Sequence, residues 1–434
     1  MFTPARYIVL DDEPAELATL VDALHVLGAP CVGVRFDPLG LPEPALFAGL
    51  RILFSDLHLV KAQPAGVQHY NTLASLIDRC VPDQHGPYLL VLWTSHEHER
   101  AALTARLEEL LPAAKRPIAV LALDKTRFRN AGVWNAEALR QAIREQIVTM
   151  PQLQALLAWE RDVLAAANET LAIIGGLVSD DQRSIGTYPA ALDNVLSLLA
   201  VAALGKENAP NDRKGAVTSA LAPLLSDRIL NRPSLPEDEA LWDQAVTFQP
   251  AAALTPPQKA RMNTMLHLAI PPGEAVARLD WGAVIPLDNA KLADDAMLAK
   301  FGMTAGDLRE HEFKLKQSRR TEGQIVVIRG GANCDQAQSQ SGPIPLMLGL
   351  LVPTGALSTD KKRSPAVHIC EEKFALAGYA EPATLLIHAR FGATVVPDEL
   401  ATFPEPTIRL REQLLAGILV HIGNHVMRPG TIRF

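Results

Sequence analysis

The sequence has little of several features that mark particular classes of protein. Its few cysteines form no closely spaced pair, so we expect neither a disulfide framework nor a cysteine-rich zinc module. They are Cys31, Cys80, Cys334 and Cys370. No apolar run approaches the roughly 20 residues of a membrane-spanning helix, and Ile344 to Val352 is short and broken by proline and glycine. The N-terminus lacks a basic segment followed by a long apolar one, so we expect no signal peptide and a cytoplasmic location.

An excess of positive charge is also missing. The 41 lysines and arginines are outnumbered by 48 aspartates and glutamates, which gives a formal net charge of -7. Nucleic-acid partners usually leave a basic face, and no helix-turn-helix with a basic recognition helix follows residue 150, so we expect no nucleic-acid partner. With 48% hydrophobic residues over 434 positions, the chain is too long for one ordinary core, and two or three domains are expected.

The first 150 residues alternate between short apolar runs and helical spacing. Tyr7 to Leu10 is an apolar run, and Leu17 to Leu27 carries apolar residues at helical spacing, which predicts a strand and then a helix. The further predicted strands are Cys31 to Val34, Leu50 to Phe54, Tyr88 to Trp93 and Ile118 to Leu123, and the further helices are Tyr70 to Cys80, His96 to Leu111 and Asn135 to Val148, with Asn135 as N-cap. This order predicts an α/β doubly wound, parallel five-stranded sheet in a domain of residues 1–150.

The rest of the chain changes character twice. Residues 151–270 are rich in alanine and leucine at helical spacing, which predicts an all-α domain. Its predicted helices are Leu153 to Val178, Ala190 to Leu204, Gly215 to Leu230, Glu237 to Thr247 and Pro256 to Leu268. Residues 271–434 predict a small mixed α+β or barrel-like domain. Its predicted strands are Ala277 to Pro286, Ile325 to Ile328, Pro345 to Val352, Ala366 to Ile369 and Ala383 to Phe391, before a closing helix at Pro406 to His425.

Polar residues stand at the ends of four predicted strands. They are Asp11 and Asp12, then Asp56, Thr94 and Lys125. Ligands of open α/β sheets bind beyond the carboxyl ends of the strands, so these side chains are expected to meet. Three carboxylates in one crevice repel one another unless a cation joins them, and oxygen ligands suit Mg2+. A hydroxyl and an ammonium group beside them would contact phosphoryl oxygens, which predicts phosphoryl-transfer chemistry.

The same segments resemble the receiver domain of two-component signalling proteins. The motifs are Val9-Leu10-Asp11-Asp12-Glu13-Pro14, Ile52-Leu53-Phe54-Ser55-Asp56-Leu57, Val91-Leu92-Trp93-Thr94-Ser95 and the late Lys125. The resemblance implies that Asp56 is the phosphoacceptor and that Thr94 and Lys125 contact the phosphoryl group. It also implies a Mg2+ ion held by Asp11, Asp12, Asp56 and the backbone carbonyl of His58, and a sensor histidine kinase or other phosphorelay protein as partner.

Three departures from the receiver pattern keep an alternative open. Thr126 follows Lys125 where the family usually has a proline, and Ala122 stands where it usually has an aromatic residue that couples to the threonine. The segment Lys61 to Gln68 also lengthens the connection after Asp56. The alternative is a pseudo-receiver scaffold that binds a partner protein without phosphorylation.

The C-terminal part offers a second alternative and a second resemblance. Cys334 and Asp335 follow a predicted strand and could form a metal or nucleophile site with His368 or Cys370, and so the centre of an enzyme, although a tight turn with side chains bonding the backbone explains them too. His421 and His425 are spaced for one helical face, as metal ligands can be. The segment from Cys334 to Gln338 and the ending His425-x-x-Arg428-x-Gly430 resemble large receiver-containing proteins of bacterial conflict systems, including Detocs-like anti-phage phosphorelays. That resemblance implies a phosphate sink or an adaptor.

Overall fold

The computed structural model describes residues 5–38, 40–60, 66–83, 85–130, 133–248, 254–287, 298, 302–331, 342–358 and 362–427. The described residues form two compact units. The first lies within Met1–Ala167 and Asn231–Thr247, and the second within Asn168–Leu230 and Phe248–Phe434. The three-domain division at residues 150 and 270 stays a prediction.

The first unit contains a parallel sheet of five strands. These are β1 (Tyr7–Asp11), β2 (Cys31–Arg35), β3 (Ile52–Ser55), β4 (Leu89–Thr94) and β5 (Ala119–Asp124). Their order is β2-β1-β3-β4-β5, and every pair is parallel. The predicted doubly wound sheet is therefore confirmed. This order is flavodoxin-like, and it reverses direction between β1 and β3, where such sheets leave a crevice.

Both faces of this sheet are covered by helices. The helices are α1 (Pro14–Val26), α2 (Val67–Cys80), α3 (Arg100–Leu110) and α4 (Ala136–Val148). Alternate strand residues face opposite sides, so Leu53 packs in one core with residues of α2 and α3, while Phe54 packs in the other with residues of α1 and α4. β3 and β4 are buried along their whole length, which explains why their sequences are continuous apolar runs rather than alternating ones. Asn135 is the N-cap of α4, as predicted, since its Oδ1 accepts a hydrogen bond from the N–H of Ala138 at 3.1 Å.

The region after residue 150 is helical, as predicted. It contains α5 (Pro151–Gly176), α6 (Tyr188–Leu204), α7 (Arg213–Leu230), α8 (Pro236–Ala245) and α9 (Pro256–His267). Glu160 of α5 forms ion pairs with Arg51 at 3.1 Å and with Arg6 at 3.2 Å. Arg6 and Arg51 directly precede β1 and β3. These pairs therefore hold the first part of α5 at the amino-terminal edge of the parallel sheet. In the described part of the chain, no helix has the length and apolar character to cross a membrane.

The second unit contains an antiparallel sheet of seven strands. They are β8 (Leu268–Ala269), β9 (Ala283–Pro286), β10 (Gln324–Arg329), β11 (Ile344–Pro353), β12 (Val367–Ile369), β13 (Ala383–Val395) and β14 (Ile408–Leu410). The short β6 (Arg129–Asn130) and β7 (Val133–Trp134) form a separate hairpin in the first unit. The order of the large sheet is β12-β13-β11-β10-β9-β14-β8. A mixed α+β C-terminal region is thus confirmed.

The predicted closing helix at Pro406 to His425 is wrong in its first part. Ile408 and Leu410 are buried while Arg409 between them is only half-buried, and this strand pairs with both β8 and β9. Alternating burial is the period of a strand. A short helix, Pro397–Ala401, precedes this strand, and a longer helix, Glu412–Val426, follows it. Leu415 and Ile418 of the longer helix pack against one face of the sheet. The sequence Pro406 to Leu410 is too short for its period to be read from apolar residues alone.

Candidate functional site

Three carboxylates meet at the carboxyl edge of β1 and β3. Asp11 is the last residue of β1, and Asp56 follows β3 directly. The two strands are neighbours in register, and the N–H of Asp56 donates to the carbonyl of Leu10 at 2.9 Å. One oxygen from each of Asp11, Asp12 and Asp56 lies within 4.8 Å of the others. The structure therefore brings these three predicted side chains together at the switch point of the sheet.

Lys125 reaches into this cluster from the end of β5. It is the first residue of the 3-10 turn Lys125–Phe128 and is buried. Its Nζ lies 3.1 Å from Asp56 Oδ2 and 3.4 Å from Asp11 Oδ2, and it also forms a hydrogen bond with Glu16 Oε2. Burial alone would lower the pKa of Lys125, but these carboxylates outweigh it and raise that pKa. Lys125 is held as a cation in the middle of the acidic cluster.

Glu16 is a member of the site that the sequence analysis missed. It lies in the first turn of α1, whose N-terminus follows Asp12 and Glu13. A signal was available, because an acidic residue in the first turn of a helix that starts at a strand end points back toward that edge of the sheet.

Asp11 has a raised pKa, because it is buried and lies beside other carboxylates. Asp11 is fully buried, and its Oδ1 accepts a hydrogen bond from the N–H of Glu13 at 2.8 Å. Burial raises its pKa to about 7; Lys125 opposes this rise, while Asp56 and Glu16 add to it. A buried carboxyl that resists ionisation beside other carboxylates is typical of a place where a bound cation would relieve repulsion. The all-oxygen donor set fits Mg2+, so the residues present are compatible with the predicted ion.

Thr94 and His58 occupy the neighbouring strand ends. Thr94 is the last residue of β4, is fully buried, and accepts a hydrogen bond on its hydroxyl from the N–H of His96 at 3.1 Å. The backbone N–H of His58 donates to Asp56 Oδ1 at 3.3 Å. His58 is thus anchored next to the carboxylates, while its ring Nε2 lies 3.2 Å from Glu99 Oε1. The role of the His58 carbonyl as a metal ligand stays a prediction.

The two departures from the receiver pattern near β5 have clear structural settings. Thr126 donates from its backbone N–H to Asp124 Oδ1 at 2.9 Å, so an Asp side chain closes the turn where the family usually has proline. Ala122 is buried in the core with α2 and α3 residues. The large aromatic beside Lys125 is instead Trp93, which is fully buried with its ring centre 5.9 Å from the lysine Nζ.

The C-terminal candidate residues are only partly within the described structure. Cys334, Asp335 and Gln338 lie outside the described residues, as do Arg428 and Gly430. Cys370 is buried, and burial raises the pKa of its thiol to about 12, so it is not a reactive thiolate. His421 packs against His368 with ring centres 4.5 Å apart. Among the described residues, the groups of three side chains that could hold a metal ion include none of His368, His421 and His425.

Comparison of the chain with protein-family models gives no match, and comparison with curated proteins gives none either. The likeness to receiver domains therefore rests on the quoted motifs and on the flavodoxin-like strand order.

Proposed function

We propose that the N-terminal domain is a phosphoacceptor that takes a phosphoryl group on Asp56 from a sensor histidine kinase or another phosphorelay protein. The observation that supports this proposal most is the cluster at the carboxyl edge of β1 and β3. It joins Asp11, Asp12 and Asp56 within 4.8 Å and places the Lys125 ammonium 3.1 Å from Asp56. Carboxylates, a lysine and a strand-end threonine at one crevice match the needs of phosphoryl transfer better than those of a structural ion pair.

In the proposed reaction, a carboxylate oxygen of Asp56 attacks the phosphorus of a phosphohistidine. The new P–O bond forms as the P–N bond breaks, and the donor imidazole leaves with the bonding electron pair. Lys125, already paired with Asp56 Oδ2, neutralises charge on the transferred group, and the Thr94 hydroxyl would hydrogen-bond one of its oxygens. Mg2+ bound by Asp11, Asp12 and Asp56 would offset the repulsion between these carboxylates and the incoming anion.

The difference in exposure between Asp56 and Asp11 bears on which carboxylate acts as the nucleophile. The Asp56 side chain keeps 13% of its surface exposed, whereas that of Asp11 is fully buried. A donor can therefore approach Asp56 more readily than Asp11, which supports Asp56 over Asp11 as the nucleophile. Asp12 is half-buried too, and its role as a metal ligand rather than the nucleophile rests on the receiver resemblance.

The biological role that we propose is a phosphate sink or an adaptor in a bacterial anti-phage phosphorelay. This role rests on the resemblance to conflict-system proteins. Asp56→Asn keeps the size of the side chain and removes the nucleophile. In a cell with the relay, that variant leaves the pathway overactive if the protein is a sink and silences it if the protein is a positive adaptor.

A pseudo-receiver scaffold is the second candidate, and one structural observation and one sequence feature favour it. Thr94 is fully buried, although a phosphoryl-contacting hydroxyl needs access to the ligand. The absence of an aromatic at Ala122 points the same way, because the usual coupling between threonine and aromatic is then missing. A scaffold would bind its partner equally with and without a phosphodonor.

Phosphotransfer from a labelled kinase distinguishes the two candidates. Purified protein is mixed with a histidine kinase carrying radiolabelled phosphate, in Mg2+ or in excess chelator. We expect label on the wild-type chain only in Mg2+, none on Asp56→Asn, and full labelling of Asp78→Asn, whose carboxylate lies exposed on α2. Equal labelling of Asp56→Asn would place the acceptor elsewhere.

A further inference from the structure

Three imidazole rings form a stack beside the acidic cluster. The ring of His58 lies between those of His69 and His96, with ring centres 4.0 and 4.1 Å apart and planes inclined by 8° and 17°. His58 comes from the loop after β3, His96 from the loop after β4, and His69 from the first turn of α2. Three separate segments thus deliver histidines to one place.

A glutamate completes the group. Glu99 is buried, and its Oε1 lies 3.2 Å from His58 Nε2 and 3.7 Å from His96 Nδ1. Its other oxygen, Oε2, accepts a hydrogen bond from the hydroxyl of Tyr70 at 2.7 Å. Tyr70 therefore fixes the orientation of the carboxylate and leaves Oε1 directed to the two histidines.

The distances from Glu99 Oε1 to the two ring nitrogens are close to the edge of a metal tetrahedron, and the nearly parallel rings of His58 and His96 would turn apart for both nitrogens to face one ion. Ligands bonded to Zn2+ at the usual nitrogen and oxygen distances stand about 3.4 Å apart in tetrahedral geometry. The two measured separations lie on either side of that value, and one atom each of His58, His96 and Glu99 lies within 4.8 Å of the others.

The third ring of the stack has a buried polar atom without a partner in the described part of the chain. His69 Nδ1 is buried with no hydrogen-bond partner among the described residues, an unusual state for a packed structural histidine.

We propose that His58, His96 and Glu99 form a second metal site, for Zn2+ or a similar divalent transition metal, next to the oxygen-only site at Asp56. Two histidines and one carboxylate with an open fourth position are an established zinc ligand set, and nitrogen ligands separate it from a Mg2+ site. Tyr70 acts as a positioning residue for Glu99. The bound ion would join the loops after β3 and β4, which carry His58 and His96 and border Asp56 and Thr94.

Zinc binding is measured on the full-length protein by equilibrium dialysis in excess Mg2+, which competes with zinc for the oxygen ligands. Wild type, His96→Gln, Glu99→Gln and Tyr70→Phe are compared, with His98→Gln as control, because His98 is exposed and stands outside the ligand group. Asp12→Asn tests independence from the acidic cluster. Circular dichroism of each variant verifies folding, and the visible spectrum of the Co2+-loaded wild type reports coordination without any substitution.

We expect one Zn2+ per chain in wild type, His98→Gln and Asp12→Asn, and a tetrahedral Co2+ spectrum in the wild type. His96→Gln and Glu99→Gln should weaken zinc binding at least tenfold, and Tyr70→Phe about tenfold, the usual effect of losing a group that orients a ligand. Two results would overturn the proposal: an octahedral Co2+ spectrum in the wild type, or zinc binding by His96→Gln and Glu99→Gln as tight as in His98→Gln. Neither result bears on phosphorylation of Asp56, so the two proposals fail independently.

Discussion

Asp11→Asn should stabilise the first unit, and the gain should depend on pH. In the folded protein the pKa of Asp11 is raised to about 7 from 3.8, mainly by burial. Below pH 4 the carboxyl is protonated in both folded and unfolded chains, so it contributes no difference. Between pH 4 and 7 only the folded chain keeps the proton, and the free energy of unfolding of the wild type falls by about 1.4 kcal/mol per pH unit. Above pH 7 the fall is complete, at roughly 4 kcal/mol.

Asparagine mimics the protonated carboxyl and keeps an oxygen for the N–H of Glu13, which Asp11 Oδ1 accepts at 2.8 Å. The variant should therefore match the wild type near pH 3.5 and exceed it by up to roughly 4 kcal/mol at pH 8 without Mg2+. Urea unfolding followed by tryptophan fluorescence reports mainly the first unit, because Trp93, Trp134, Trp159 and Trp242 lie within it and one tryptophan of five, Trp281, lies in the second. Asp12→Asn is the control, since Asp12 is only half-buried. A gain for Asp11→Asn that is the same at every pH would refute this reasoning.

Three further predictions concern the acidic cluster and the second unit. Asp12→Ala should weaken Mg2+ binding severely in calorimetric titration while the fold is kept, because one of three charged ligands is lost; unchanged affinity would mean that the metal binds elsewhere. Lys125→Met should lower the free energy of unfolding by about 3 to 5 kcal/mol in urea, since Asp11 and Asp56 lose a buried partner. Added Mg2+ should restore part of this loss. An unchanged free energy of unfolding would contradict the idea that Lys125 balances the charge of these carboxylates. In β14, Leu410→Ala should lower the free energy of unfolding by about 2 to 5 kcal/mol, because a buried side chain is lost. Arg409→Ala should change it by less than about 1 kcal/mol, because the Arg409 Nε makes only a 4.0 Å ion pair with Asp280. Equal effects of the two variants would argue against the alternating burial of a strand.

The parallel sheet could be predicted because its strands are buried on both faces. Such strands are continuous apolar runs, and each of the five ends close to a polar residue or a turn, so period and boundary agree. Asp11, Asp56 and Lys125 could be placed at one edge for the same reason, since parallel strands end together. Thr94 was placed at the right strand end, but the sequence pattern carries no information on its complete burial.

The parts that were not predicted depend on contacts between distant segments. Glu16 has a local signal, its place in the first turn of α1, but its contact with Lys125, more than a hundred residues later, depends on the fold. The histidine stack combines His58 and His96 from two loops with His69 from the helix α2. No local spacing in the sequence shows that these rings meet. β14 is three residues long, and it is a strand because β8 and β9 pair with it, not because of its own propensity.

Intact-mass measurement after incubation with a small phosphodonor and Mg2+ tests the central claim most directly. We expect the wild-type chain to gain the mass of one phosphoryl group, and this gain to disappear in Asp56→Asn and in excess chelator. An unmodified wild-type mass, under conditions that label a control receiver and in the presence of the cognate kinase, would contradict the phosphoacceptor function and favour the scaffold.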